Sequence, residues 1–288
     1  MHHSYIPLPT VICTALLLVI LSMGQRAYSQ QYTKRTIRMG DDTLQLKVYE
    51  KPGKDIVYVH VHENEVAALE AGMKTWDQSG GRLVTISHSF DGTVNRNITF
   101  RHKGNTYRLD PNRIYTADDS VLNSQIMPLK GRGKVSADVV KIVRNLADSI
   151  WHQVKDASLI VAVHNNKNTP LTTKHFWFYW YKNVAESYNV TSYVRKSDYS
   201  SDSNKSCSDI YINPAINDSE FFIVTQREDF MYFFEKRYNV VLQNQVPVDN
   251  GSMSVFASAA GKRYINAEAK MGRVEEQLFM LGLLLGME

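Results

Sequence analysis

The 288-residue chain is poor in cysteine, with only Cys13 and Cys207. Cys13 falls inside an apolar leader, so the chain beyond the leader carries a single thiol. That excludes an intrachain disulfide and any cysteine-built zinc site. Cys207 sits in the polar stretch SDSNKSCSD and reads as an incidental surface thiol. The chain also lacks blocks of one charge. Its 33 Lys+Arg and 29 Asp+Glu are interspersed, for a formal net charge of +4, and leave no basic footprint of the kind nucleic acid requires. There is no internal repeat and no linker that would split the chain. The late apolar stretch GRVEEQLFMLGLLLG is interrupted by Glu275, Glu276 and Gln277, so it reads as a core helix rather than a membrane element.

The one apolar run near the start, PTVICTALLLVILSMG, is short and early for a membrane span. Ala27-Tyr28-Ser29 follows it with the small-x-small pattern of a signal-peptidase site. Residues 1–29 are therefore expected to be a signal peptide, with an uncleaved anchor as the alternative. No cysteine follows the run, so a lipid anchor is not indicated. Residues 30–288 are expected to form a single domain, secreted or periplasmic, with no stable membrane span after cleavage. An exported chain without disulfides must rely on its core, with a bound metal as an additional source of stability.

TLQLKVYE alternates and reads as a half-buried strand, whereas IVYVHV, RLVTISH, SLIVAVHNN and FFIVTQ are continuous runs expected of strands buried on both faces. YINAEA is a late strand, and NITFRHKGNTYRLD reads as a hairpin with Lys103-Gly104-Asn105 at its tip. Helical spacing marks EVAALEAGMKTW, SADVVKIVRNLADSIWHQV with Ser136 as N-cap, REDFMYFFEKRYN and the C-terminal stretch. Strands alternating with such helices predict an α/β fold with a mixed, mostly parallel sheet flanked by helices on both faces. The region near 170–219 fits poorly. It holds HFWFYWY and SDYSSDSNKSCSD, and reads as a loop-rich insertion roofing a site.

Chemistry gathers at strand ends, where open α/β sheets carry their sites. His62-Glu63-Asn64-Glu65 closes the run IVYVHV, and a His and a Glu three positions apart can grip one zinc ion. His60 and Glu63 form a second, overlapping H-x-x-E. Asn112-Arg113 follows in LDPNR, His164 ends another strand, and Glu268 lies between two alanines on a late strand. A buried acid there is costly unless paired, with Lys270 or Arg273 as alternatives to a functional role. Arg113 has a structural alternative in an ion pair with Asp110.

This ordered set of H-x-x-E, D-x-N-R, strand-terminal histidine and late glutamate resembles the zinc carboxypeptidase superfamily, including its succinylglutamate desuccinylase and aspartoacylase branch. HENEVAALEAG is similar to the H-G-N-E helix entry of that branch, with Glu63 in the place of Gly, and LDPNR has Pro111 where Leu is frequent. The resemblance implies a carboxypeptidase-like fold with His62, Glu65 and His164 as ligands of a zinc ion. It implies Glu268 as the general base for water attack and the acid for the leaving amine, and Asn112 and Arg113 as holders of a substrate carboxylate. An oxyanion-stabilising arginine would be Arg108, Arg101 or Arg96, with Arg108 favoured. Tyr264, Tyr211 and the run from Phe176 to Tyr181 compete for the tyrosine that closes over substrate.

The expected function is an exported zinc metallohydrolase, a carboxypeptidase or amidohydrolase. It would cleave an amide next to a free carboxylate in a small peptide, including a cell-wall peptide, or in an N-acyl amino acid. A deacylase of the desuccinylase type and a non-catalytic carboxylate-binding module are the alternatives.

Overall fold

The continuous β-branched runs build the middle of a nine-stranded sheet in this computed structural model, which describes residues 32–89, 93–130, 134–166, 172–176, 179–183, 188–194 and 205–287. The chain begins with β1 (Tyr32–Met39), β2 (Asp42–Lys51), β3 (Ile56–His60), α1 (Val66–Ser79) and β4 (Gly81–Ser87). It continues through β5 (Ile98–His102), β6 (Asn105–Leu109), α2 (Asp119–Ser124), β7 (Ile126–Lys130), α3 (Ala137–Val154) and β8 (Leu159–Asn166). Then follow β9 (Thr172–Phe176), β10 (Tyr179–Asn183), a 3-10 turn (Val190–Val194), β11 (Cys207–Tyr211) and β12 (Phe221–Val224). The last elements are α4 (Arg227–Glu235), β13 (Val240–Gln243), α5 (Met253–Ala259), β14 (Tyr264–Lys270) and α6 (Val274–Leu285). The expected signal peptide lies outside the described residues. So does much of the expected insertion at 170–219, of which the β9–β10 pair, the 3-10 turn and β11 are described.

The large sheet runs β1-β2-β4-β3-β8-β14-β12-β13-β11. It is mixed, and the expectation of a mostly parallel sheet is corrected. β4-β3, β3-β8, β8-β14 and β12-β13 are parallel, while β1-β2, β2-β4, β14-β12 and β13-β11 are antiparallel. The cause is visible in the chain. Only Gly40 and Asp41 separate β1 from β2, and so short a link can join only antiparallel strands. β2 also buries alternate residues, as an antiparallel strand with one wet face does.

At the parallel centre, every residue of β3 and β8 is buried. Val57, Val59, Ile160 and Ala162 face one core with α3; Ile56, Tyr58, Val161 and Val163 face the other with α1, α4 and α6. Helices thus flank both faces. On α3, Val139, Val143, Leu146 and Ile150 form the buried stripe, and Ser136 caps the helix by accepting from Val139 N. The hairpin of β5 and β6 belongs to a separate three-stranded sheet with β7, and both turn residues, Lys103 and Gly104, have positive φ. Cys207 corrects its sequence reading: it is fully buried on β11, with Phe221, Ile223 and Val241 in its cluster. Its polar neighbours conceal a strand whose first residue points into the core.

Leu146 is fully buried between α3 and the sheet. Leu146→Ala is expected to cost about 2–5 kcal/mol in urea unfolding, from lost transfer energy plus an unfilled cavity. A loss under about 1 kcal/mol would contradict the core described here.

Candidate metal site

Three strands converge on the site at their carboxyl ends. β3 ends at His60, and the next turn carries His62 and Glu65 into α1. β8 contributes His164, and β14 places Glu268 in register beside it. His62, Glu65 and His164 each offer one ligand atom, all within 4.8 Å of one another. Glu65 Oε1 is 2.9 Å from His62 Nδ1, and Glu65 Oε2 is 3.0 Å from His164 Nδ1. The two Nδ1 atoms are 3.1 Å apart.

These spacings fit a cation. A tetrahedron of donors at about 2.0–2.1 Å from zinc has edges of about 3.3 Å. The donor set, two imidazoles and one carboxylate, is that of a catalytic zinc site with a position left open. His62 is also oriented from behind, because its Nε2 donates to Asp110 Oδ1 at 2.7 Å. That bond fixes the proton on Nε2 and frees the Nδ1 lone pair for a ligand bond.

Without a cation, charge in the cluster is carried by a proton. Burial opposes protonation of His62, but Glu65 and Asp110 outweigh it and hold its pKa up at about 9. Burial likewise resists ionisation of Glu65, and His62 and His164 overcome it, leaving the carboxyl well below its ordinary value. A cation entering this cluster must displace that proton, so its affinity falls as pH drops below about 9.

Glu65 is the N-cap residue of α1, yet its side chain caps nothing. The carboxylate is given to the cluster, accepting also from Asn165 N at 3.0 Å and from Arg96 Nη1. Asn165 supplies the missing cap, its Oδ1 accepting from Ala68 N at 2.9 Å in the first turn of α1. Its Nδ2 donates to Gln277 Oε1 at 3.0 Å, tying α6 to the same point.

The overlapping H-x-x-E is resolved by these contacts. His60 is not part of the cluster. Its Nε2 donates to the Glu65 carbonyl at 3.1 Å, and its Nδ1 accepts from the Thr85 hydroxyl at 2.9 Å. Burial pulls its pKa down to about 4, in keeping with a neutral ring. Glu63 turns away as well, accepting from Ser87 Oγ at 2.9 Å and Ser89 N at 3.1 Å.

The cluster opens into a cavity of about 530 Å³ lined in part by Arg96, Asn112, Arg113, His164, Tyr264 and Glu268. Glu268 is 6 % exposed, and burial pushes its carboxyl above the ordinary carboxylate value, against the opposing charge of His164. Its described hydrogen bond is to Asn266, whose Nδ2 donates to Glu268 Oε1 at 3.0 Å. Asn266 and Glu268 share the cavity face of β14, and that bond leaves Asn266 Oδ1 buried without a partner. The salt bridges considered for Glu268 do not form: Arg273 pairs with Glu276 at 2.9 Å. Arg113 is not paired with Asp110. Its side chain has no hydrogen bond or ion pair among the described residues.

Arg108, favoured from sequence for the oxyanion, is not brought to the site. Tyr107 and Leu109 are buried, so Arg108 points to the opposite face of β6, where Nη2 lies 3.3 Å from Met127 Sδ. Arg101 pairs with Asp42 at 2.6 Å. Arg96, from the segment before β5, is the arginine that reaches the cluster, with Nε 3.7 Å from Asp110 Oδ2. Of the competing tyrosines, Tyr264 lines the cavity with Tyr188 and Tyr193. Tyr211 packs edge-on against Phe234, and the side chains from 176 to 181 lie outside the described residues. Sequence reading missed Asp110 as the partner of His62. It also missed Asn266, although strand alternation two positions before Glu268 would have found it.

Asp110→Asn is expected to weaken zinc binding about 10–100-fold, measured by competition with a chelator. Unchanged affinity would mean that Asp110 does not orient His62.

No protein-family model matches the chain, and no curated protein matches it either. The fold is similar in outline to two solved structures. One, from Shewanella frigidimarina and named as a succinylglutamate desuccinylase/aspartoacylase, has 11% identity and a TM-score of 0.41, covering 89% of this chain and 70% of that one. The other, an aspartoacylase family protein from Mesorhizobium loti, has 11% identity and a TM-score of 0.35, covering 88% of this chain and 67% of that one. Likeness at this level says nothing of chemistry.

Proposed function

We propose that the protein is a zinc-dependent hydrolase that cleaves an amide bond next to a free carboxylate. The observation that carries this reading is the convergence on one cavity of a His62-Glu65-His164 donor cluster, a buried Glu268 and an unpaired Arg113. A zinc ion bound at such a cluster supplies Lewis acidity toward a carbonyl and makes water more acidic.

The remaining work falls to side chains. Arg113 takes the substrate carboxylate bidentately, as a planar guanidinium can and an ammonium cannot, with Asn112 beside it. Glu268 accepts a proton from the attacking water on its carboxylate and returns it to the leaving nitrogen, so that acid and amine separate with the proton balance closed. Its raised pKa serves both halves, since a carboxyl of higher pKa is the better base and still releases its proton to an amine. Asn266 keeps that carboxylate in one orientation, and Arg96, paired with Glu65 and Asp110, holds the donor cluster in place.

The substrate class is a small peptide with a free C-terminus or an N-acyl amino acid. We place the protein outside the cytoplasm, on the strength of the apolar leader and Ala27-Tyr28-Ser29. No helix among the described residues is long and apolar enough to cross a membrane.

Glu268→Gln is expected to lower kcat by about 10²–10⁴-fold on N-acyl amino acids or C-terminal peptides, with zinc content unchanged. Full activity in this variant would remove Glu268 from the chemistry. Asn266→Ala is expected to reduce kcat about tenfold with KM nearly constant, since it frees the Glu268 carboxylate without touching substrate anchoring. A rise in KM alone would refute that positioning role.

A further inference from the structure

The segment from Asp249 to Val255 carries no motif, yet it is locked to the Arg113 turn at three points. Thr116 Oγ1 donates to Asp249 Oδ2 at 2.5 Å, and Tyr115 N donates to the Gly251 carbonyl at 2.8 Å. Gly251 has φ +74, and a Cβ there would stand 2.3 Å from the Arg113 carbonyl oxygen, so only glycine allows the approach. The segment and Arg113 therefore line the same cavity from adjoining turns.

The wall presented there is uncharged and mostly hydrogen-bonding, with Val255 its apolar member. Asn250, Ser252, Ser254 and Gln243 line the cavity. Gln243 is 3 % exposed, and its Nε2 donates to the Ser206 carbonyl, which leaves Oε1 with no protein partner. Asn250 Oδ1 accepts from Ser252 N at 3.0 Å, and its Nδ2 is uncommitted. Ser254 Oγ meets only Ser252 Oγ, at 3.2 Å. Gln243, Asn250 and Ser254 thus bring to the cavity lining an acceptor and an amide donor without partners among the described residues, and a hydroxyl shared with Ser252. Among the described lining residues the arginines are Arg96 and Arg113, and Arg96 is committed to Glu65 and Asp110. A second carboxylate against this wall would be desolvated with no free cation among the described lining residues to match it. An aliphatic group would leave the donors and acceptor unpaired.

We infer that Gln243, Asn250 and Ser254 form a subsite for an uncharged, hydrogen-bonding side chain on the residue that bears the free carboxylate. The subsite rests on the hydrolase reading for its place in catalysis, and on geometry alone for its ligand chemistry. It distinguishes a substrate ending in an amide or hydroxyl side chain from one ending in a second acid.

The test uses N-acetyl-alanyl peptides ending in Gln, Glu or Met, which differ little in shape. Binding is measured by calorimetry on the full-length Glu268→Gln protein loaded with zinc, and kcat/KM on the zinc-loaded wild type. The Gln peptide is expected to bind at least about tenfold tighter than either other member, with Ser254→Ala narrowing the gap to the Met peptide. Equal or stronger binding of the Glu or Met peptide overturns the subsite. Preferential binding of the Gln peptide without turnover by the wild type leaves the subsite standing and sinks the hydrolase reading. Turnover with the order reversed does the opposite, and binding of none of the three overturns both.

Discussion

The arrangement depends on one buried negative charge. Glu65 is fully excluded from solvent, and a carboxylate in such a place must be met by positive charge or by donors. Five groups meet it or its immediate neighbours: His62, His164, Arg96, the Asn165 amide and, through His62, Asp110. Much of the local architecture follows from that need. Helix α1 gives up its own N-cap carboxylate and borrows Asn165 from β8, and Asn165 in turn holds Gln277 of α6. Gln277 closes the loop by donating to the Ala267 carbonyl of β14 at 3.0 Å, one residue before Glu268. The donor cluster and the candidate base are thus set on one hydrogen-bonded frame rather than on separate loops.

The frame also explains why the charged cluster is tolerated in a core built from β-branched and aromatic side chains. Its members satisfy one another, and the parallel centre of the sheet delivers His164 and Glu268 side by side. The exceptions are informative. Asn266 Oδ1 and Asn112 Oδ1 are buried without partners, and both residues line the cavity. Unmatched buried acceptors of this kind cost on the order of 1–3 kcal/mol each, and they sit where stability is commonly exchanged for function.

The parts of this arrangement legible in sequence were those carried by local pattern. Continuous apolar runs gave β3, β8 and β12, and alternation gave β2, because each strand's burial on one face or two is written into its own residues. His62 and His164 stood out as polar ends of buried runs, Glu65 by its H-x-x-E spacing to His62, and Glu268 as an acid between two alanines on a strand. What failed depended on contacts between distant segments. Arg96 lies before β5 with no periodicity to aim it, whereas Arg108 sits on a strand and was favoured, although the alternation of β6 turns it away. The antiparallel pairing of β12 with β14 is a matter of topology that neither strand's residues record. Cys207 was hidden by polar neighbours on a strand at the sheet edge. The segment at 249–255 was silent because a single glycine, Gly251, makes its packing against Arg113 possible.

The central claim is that the three donors hold one cation, and a crystal of the zinc-soaked protein measured on both sides of the zinc absorption edge tests it most directly. The account predicts a single anomalous peak about 2.0–2.2 Å from His62 Nδ1, a Glu65 carboxylate oxygen and His164 Nδ1. No peak there, with Glu65 still hydrogen-bonded to both imidazoles, would contradict it.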